Sequence, residues 1–197
     1  MHRYAGGMTG SATGPGRPRS EAARVAVLHA VDDLLVEVGY AAMTMKNIAE
    51  RAGVARMTVY RWWPTKAHIL VEACDQDARR ELTFAAHSDP VRTVTDFLVG
   101  LAKFLTVSPA GIAYRALLGE AQHDPEVGGL VAEADLLAAP AVAVLDQVRD
   151  RLENVPPDRF AVAELCGPVV LLVMSGAPAP TRPALRAHAR RLVTAWS

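Results

Sequence analysis

The stretch Thr44-Met45-Lys46-Asn47-Ile48-Ala49-Glu50-Arg51-Ala52-Gly53-Val54-Ala55-Arg56-Met57-Thr58-Val59-Tyr60-Arg61-Trp62-Trp63-Pro64 decides the fold. Thr44 is a helix N-cap, and Ile48, Ala49 and Ala52 give the short helix it starts an apolar face. Gly53 interrupts that helix, and a second helical run extends from about Ala55 to Trp63, where Pro64 stops it. Two such helices cross steeply only if Ala49 is small, because the second packs directly over it. Gly53 permits a left-handed turn that a side chain would resist. Ile48, Val54 and Val59 then plug the gap, which is the spacing of a helix-turn-helix. The alternation in Met57-Thr58-Val59-Tyr60 also fits a strand, but it is too short and has no partner.

Outward from this stretch the pattern stays helical. Ser20 is a plausible N-cap, and Val27, Leu28, Val31, Leu34, Leu35 and Val38 recur at helical spacing before Gly39. A long helix is expected from Thr65 to about His87. Further helices are expected over Val91–Leu105, Ile112–Gln122, from Asp124-Pro125 onward, Pro140–Leu152, Asp158–Ser175 and Thr181–Trp196. No convincing strand and no internal repeat occurs, so the fold is read as all-α. Residues 1–19, rich in Gly, Ser, Thr and Pro, read as a flexible basic arm, 20–66 as the helix-turn-helix domain and 67–197 as a larger helical domain.

About half of the 197 residues are apolar, enough for a sizeable core, and 21 basic residues balance 21 acidic ones. The balance conceals an asymmetry. Met1 to Lys66 holds 9 basic and 5 acidic residues, whereas Ala67 to Ser197 holds 12 and 16. A basic head on an acidic body points to a polyanion met by the head alone. Cys74 and Cys166 lie far apart without other ligands at zinc-finger spacing, which predicts buried free thiols and no metal site. Met1 to Ser20 has no apolar core, and Leu165 to Met174 falls short of the ~20 residues of a membrane span. A soluble cytoplasmic protein is expected. There is no nucleophile elbow, phosphate-binding glycine loop, paired His on one helix face or ordered carboxylate pair. His68, His87 and His123 are scattered. An enzyme is therefore the least favoured reading, and no cofactor is expected.

On the second short helix Arg56, Met57, Thr58, Tyr60 and Arg61 project together, and a helix of that size fits the DNA major groove. Residues 20–70 resemble the DNA-binding domain of the TetR family of bacterial transcriptional regulators. The matching residues are Thr44, Ile48-Ala49, Ala52-Gly53-Val54 and Thr58-Val59-Tyr60-Arg61-Trp62-Trp63-Pro64-Thr65-Lys66. The segment Leu117-Leu118-Gly119-Glu120-Ala121-Gln122-His123-Asp124-Pro125 is also similar to many family members. Ala55 departs from the pattern, standing where the family usually has a capping Ser, at a cost of ~1 kcal/mol.

The resemblance implies roles. Thr44 would offer its hydroxyl and an adjacent backbone N–H to a phosphate. Tyr60 and Trp62 match backbone-contacting positions, and Trp63 matches an aromatic packed in the domain core. Arg56, Met57 and Thr58 are candidates for base edges, and Arg61 suits either purpose. Lys66, a cation opposing the dipole of its own helix, would be explained by a phosphate. Arg17 and Arg19 either enter a minor groove or belong to a merely soluble tail.

The resemblance further implies a homodimer through the helices of residues 158–175 and 181–196, reading a palindromic operator. It also implies a small-molecule effector, for which the pocket candidates are Phe97, Leu101, Phe104, Tyr114, Leu117, Leu118 and Met174. An apolar pocket would favour a hydrophobic or aromatic effector and a repressor released by it. The alternative is a family member whose second domain binds a protein partner, or which activates transcription. A closed apolar cavity would favour the effector, and a filled core with an exposed apolar patch the partner.

Overall fold

The computed structural model describes Arg17 to Ser197, with side chains from Glu21 onward. Eleven helices occupy this range and no strand does. The proposed arm falls outside the described residues, apart from the backbone from Arg17 on. There α1 (Arg17–Glu37) begins three residues before the expected cap, with Pro18 in the first turn, where its missing N–H costs nothing.

The head is built from α1, a short α2 (Gly39–Ala42), α3 (Met45–Ala52), α4 (Arg56–Trp62) and the first turns of α5 (Lys66–Glu81). Val27, Val31 and Leu34 on α1 bury against Ile48 and Ala49 of α3, Val59 of α4 and Ile69 and Leu70 of α5. The single turn α2 was not foreseen. Gly39, at φ +72, reverses the chain after α1, and the turn brings Met43 into the core.

The body comprises α6 (Pro90–Val107), α7 (Pro109–Glu120), α8 (Pro125–Ala134), α9 (Ala138–Arg149), α10 (Asp158–Met174) and α11 (Arg182–Trp196). Local punctuation sets most boundaries. Asp89 and Asp124 accept from the N–H groups of Val91 and of Glu126 and Val127, each followed by a first-turn proline. The expectation that α5 reaches His87 is corrected: it stops at Glu81, and residues 83–88 run as an irregular strap. Phe84 and His87 there make contacts with α9 and α6 that a continuing helix would lose.

Gly111 has a steric role. A Cβ there would sit 1.9 Å from the Phe104 carbonyl oxygen, so α7 lies directly on the last turn of α6. Within α10, Pro168 takes away one backbone donor and frees the carbonyl four residues earlier. His188 of α11 answers it, with Nε2–H donating to the carbonyls of Glu164 at 3.1 Å and Leu165 at 3.3 Å. The helix therefore continues through the proline, and the repair stitches α10 to α11. Both cysteines are free and buried, and burial pushes the Cys166 thiol up to about 12.

The run from Pro125 to Arg149 is apolar and long enough to cross a membrane by length and composition. It is two helices parted at Asp135, in a left-handed conformation, and Val127, Val131, Val144, Leu145 and Val148 are buried in the body.

Two outcomes follow. Gly111→Ala should destabilise the protein by about 1–3 kcal/mol, read from the urea midpoint, because backbone rather than a flexible side chain must give way. Asp32, on α1 facing α5, has its carboxyl raised to about 6, by burial first and then by Asp77, against the opposing pull of His29 and Arg80. Folding therefore favours its protonated form, and that contribution is lost as pH rises through about 6. Asp32→Asn should raise stability at pH 7.5 on the order of 1 kcal/mol, after discounting for its partial exposure, with the advantage gone near pH 4.

Candidate nucleic-acid interface

Thr44 and Asn47 close the N-terminus of α3 reciprocally. The Thr44 hydroxyl oxygen accepts from the Asn47 N–H at 3.2 Å, and Asn47 Oδ1 accepts from the Thr44 N–H at 2.7 Å. Thr44's own N–H is thus occupied. The N–H groups left at this helix end are those of Met45 and Lys46, which have no intrahelical acceptor. Asn47 escaped the sequence reading although its spacing from Thr44 is that of a capping box.

At the other end of α3, Gly53 adopts φ +64 and ψ +28, and its N–H reaches back to the Ala49 and Glu50 carbonyls. The Val54 N–H returns to Ala49 O at 3.1 Å, completing a left-handed helix stop. No atom lies within 4 Å of a Cβ built at Gly53, so the glycine is required by conformation, not space.

The turn sets α4 on the surface with one side down. Val59 is fully buried, whereas Met57 is 80% and Tyr60 44% exposed, and Arg56 and Arg61 also face solvent. Arg56 and Arg61 have no carboxylate within ion-pair distance among the described residues. Arg56 and Tyr60, and likewise Met57 and Arg61, stand one turn apart, so the four form a continuous strip. Thr58 is half-buried at its edge.

The remaining head residues sort differently from one another. Trp63 is in the core as expected, and its Nε1–H donates to Glu72 Oε2 at 2.8 Å while Arg24 of α1 pairs with the same carboxylate. Trp62 is half-buried, edge-on to Trp63 with centroids 5.5 Å apart and with Arg61 5.9 Å above its ring. It is therefore both a packing residue and a partly open one. Arg51, in the last turn of α3, is tied to Glu37 at 2.8 Å, and this bond holds the Glu37 carboxyl below its ordinary range.

Lys66 differs most from its expected role. Its Nζ donates to the Tyr40 carbonyl at 3.1 Å and lies 4.1 Å from the centre of the Tyr40 ring. The half-buried amine, its pKa lowered by that burial, fastens α5 to the end of α2. The cation at this helix start is thus answered inside the protein. The side chains of Arg17 and Arg19 lie outside the described residues.

The pocket candidates do not assemble around a cavity. Phe97, Leu101, Phe104, Tyr114 and Leu117 are buried core, Leu118 is half-buried, and Met174 is 40% exposed on the outside of α10. Among the described residues, clefts of about 240–420 Å³ mark the surface, and Phe104 borders one of about 380 Å³. Side-chain character alone did not separate a cavity wall from close packing.

Residues 27–73, which contain this interface, match the family model described as "Bacterial regulatory proteins, tetR family". Residues 27–73 therefore carry the N-terminal, DNA-binding type of domain of the TetR family. Among curated relatives, the HTH-type transcriptional regulator YdeS of Bacillus subtilis is 37% identical over 112 residues. That match spans 57% of the chain and 56% of the relative, so the chain covers little more than half of the relative's length. The HTH-type transcriptional repressor KstR of Mycobacterium tuberculosis is 34% identical over 82 residues, 39% of the chain and 37% of the relative. The crystal structure of the TetR family regulator SCO0332 superimposes with a TM-score of 0.76 at 24% identity, covering 87% of this chain and 97% of that one. It shares the whole fold, head and body together.

Lys66→Ala should lower the melting temperature of the DNA-free protein by the equivalent of about 1–2 kcal/mol, since a charged hydrogen bond and a cation–π contact are lost together. An unchanged melt, read by circular dichroism, would remove this internal role and return the lysine to solvent.

Proposed function

We propose that the protein is a homodimeric transcriptional repressor. On this reading α4 of each copy enters the major groove of a palindromic operator, in the cytoplasm, and a small apolar effector releases it. The observation that carries the reading is the sidedness of α4: Val59 anchors it, while Arg56, Met57, Tyr60 and Arg61 face outward, without acidic partners among the described residues. Arg56, Met57, Thr58 and Arg61 would read base edges, and Tyr60, Trp62 and Thr44, with the open N–H groups beside it, would hold phosphates. The names of the KstR relatives support repression.

Dimerisation through α10 and α11 is supported by a mismatch between sequence and burial. The second half of α10 is apolar on every side, yet only one side is covered. Phe160 is 65% exposed, Leu171 69% and Leu172 41%, and Met174 joins them on the open side. A filled core beside an exposed apolar patch suits a protein partner. A second copy is the partner that also gives two heads the two-fold symmetry of a palindrome.

Fluorescence anisotropy with duplex operator fragments selected from genomic binding sites tests the reading. Affinity should fall steeply with salt as counterions are released. Tyr60→Ala should weaken binding to every sequence alike, whereas Arg56→Ala should relax preference at particular base pairs, by ~1–3 kcal/mol each. Uniform loss from Arg56→Ala would overturn its place at a base edge. Leu171→Glu should yield a folded monomer by light scattering and abolish tight operator binding. A wild-type protein that is monomeric at micromolar concentration would sink the symmetric reading.

A further inference from the structure

Phe84 stands in the strap that joins α5 to α6, its ring half-buried in the body. The ring presses on α6 so closely that a Cβ at Gly100 would come within 2.1 Å of Phe84 Cζ. It meets the buried Phe97 edge-on, with centroids 6.4 Å apart and planes at 90°. Clefts open on both sides of it. One, of about 240 Å³, is bounded by Leu82, Pro140 and Val144; the other, of about 380 Å³, by Val99, Gly100 and Phe104. Phe84 borders both.

Side chains, not a regular backbone ladder, hold the strap. Gln147 donates to the Phe84 carbonyl at 3.1 Å, Arg151 donates to the carbonyls of His87 and Ser88, and the His87 N–H reaches Thr93 Oγ1 at 2.9 Å. A segment held in this way opens at a fraction of the cost of unfolding a helix. At the rim of the larger cleft Asp96 is engaged by Arg182 and His87, and Glu81 accepts from the Ser108 hydroxyl. Lys103, exposed on the same rim, has no carboxylate within ion-pair distance among the described residues.

We propose that the Phe84 ring is a built-in plug in the seat of a small ligand that has an apolar, ring-sized body and one anionic group, and that this ligand binds by displacing it. With the ring withdrawn the two clefts join across the space it filled, reaching the volume of small-molecule sites. Gly100 and Phe97 then form the floor against which the ligand's ring lies, and Lys103 meets its anion. α5 runs from this strap directly into the head. Only that link, from seat to head, rests on the repressor reading above.

The test uses the full-length protein and 8-anilino-1-naphthalenesulfonate, which pairs apolar rings with one sulfonate. Phe84→Ala removes the plug and should bind one equivalent per chain about tenfold more tightly than wild type, as expected when an opening cost is removed. Adding Lys103→Ala should reverse at least about threefold of that gain, on the order of one exposed charge contact. A cooperative melt shows that the variant is folded, and a folded Phe84→Ala that binds no tighter overturns the plug. Should Phe84→Ala not fold, Phe84→Leu is measured in the same way, with a smaller gain expected and no gain overturning it. In wild type carrying 4-fluorophenylalanine, the position-84 fluorine resonance should shift at saturating probe, and an unmoved resonance overturns the displacement. If the probe binds tightly yet leaves DNA affinity unchanged, the seat stands and the effector reading falls.

Discussion

Ala73 and Cys74 mark the point at which α5 stops being part of the head and becomes part of the body. On the head side Ala67, Ile69 and Leu70 complete the core against α1. On the body side the Cys74 thiol donates to the Ala110 carbonyl of α7 at 3.3 Å, and Ala78 and Leu82 continue inward. One straight helix therefore shares its side chains between two cores. Neither end can move alone without exposing apolar surface in the other, so the head's position is set by the packing of α5 against α1 and α7. The burial of Asp32 on the face of α1 that meets Asp77 of α5 places a titratable weakness in that same seam.

The local signals were legible because each states its own geometry. A glycine that must be left-handed, a threonine capping α3 and a proline ending a helix fixed the helix-turn-helix to within a residue or so. What lay beyond reach depended on partners distant in sequence. Lys66 reads as a surface cation until Tyr40, twenty-six residues away, takes its charge. The end of α5 follows from Phe84 finding a bare glycine on α6, which no periodicity within 65–87 could announce. Phe97, Phe104 and Tyr114 are buried in the body, but being inside does not distinguish a wall from a filler. At Pro168 the freed Glu164 carbonyl likewise finds its donor, His188, on a distant helix.

The charge of the head is less available than its net count suggests. Arg24 is spent on Glu72, Arg51 on Glu37 and Lys66 on Tyr40, all in service of packing. What remains open on α4 is Arg56 and Arg61. This separation of structural from free cations gives the proposed interface its focus, since the internal pairs tie α1, α2, α3 and α5 to one another while the open pair on α4 is left for a polyanion.

A body whose centre is already filled constrains any ligand-driven release. A ligand that occupied a preformed cavity in both states alike would shift nothing, however tightly it bound. A seat that exists only once Phe84 has left differs between the ring-in and ring-out states by construction, and it would favour release only as far as the ring-out state disfavours the head's DNA-binding position. The cost is that the ligand must first outbid the ring's own contacts with Phe97 and Gly100. The strap that carries the ring is continuous with α5, so under the proposal the ring's withdrawal would act on the end of the helix on which the head is mounted.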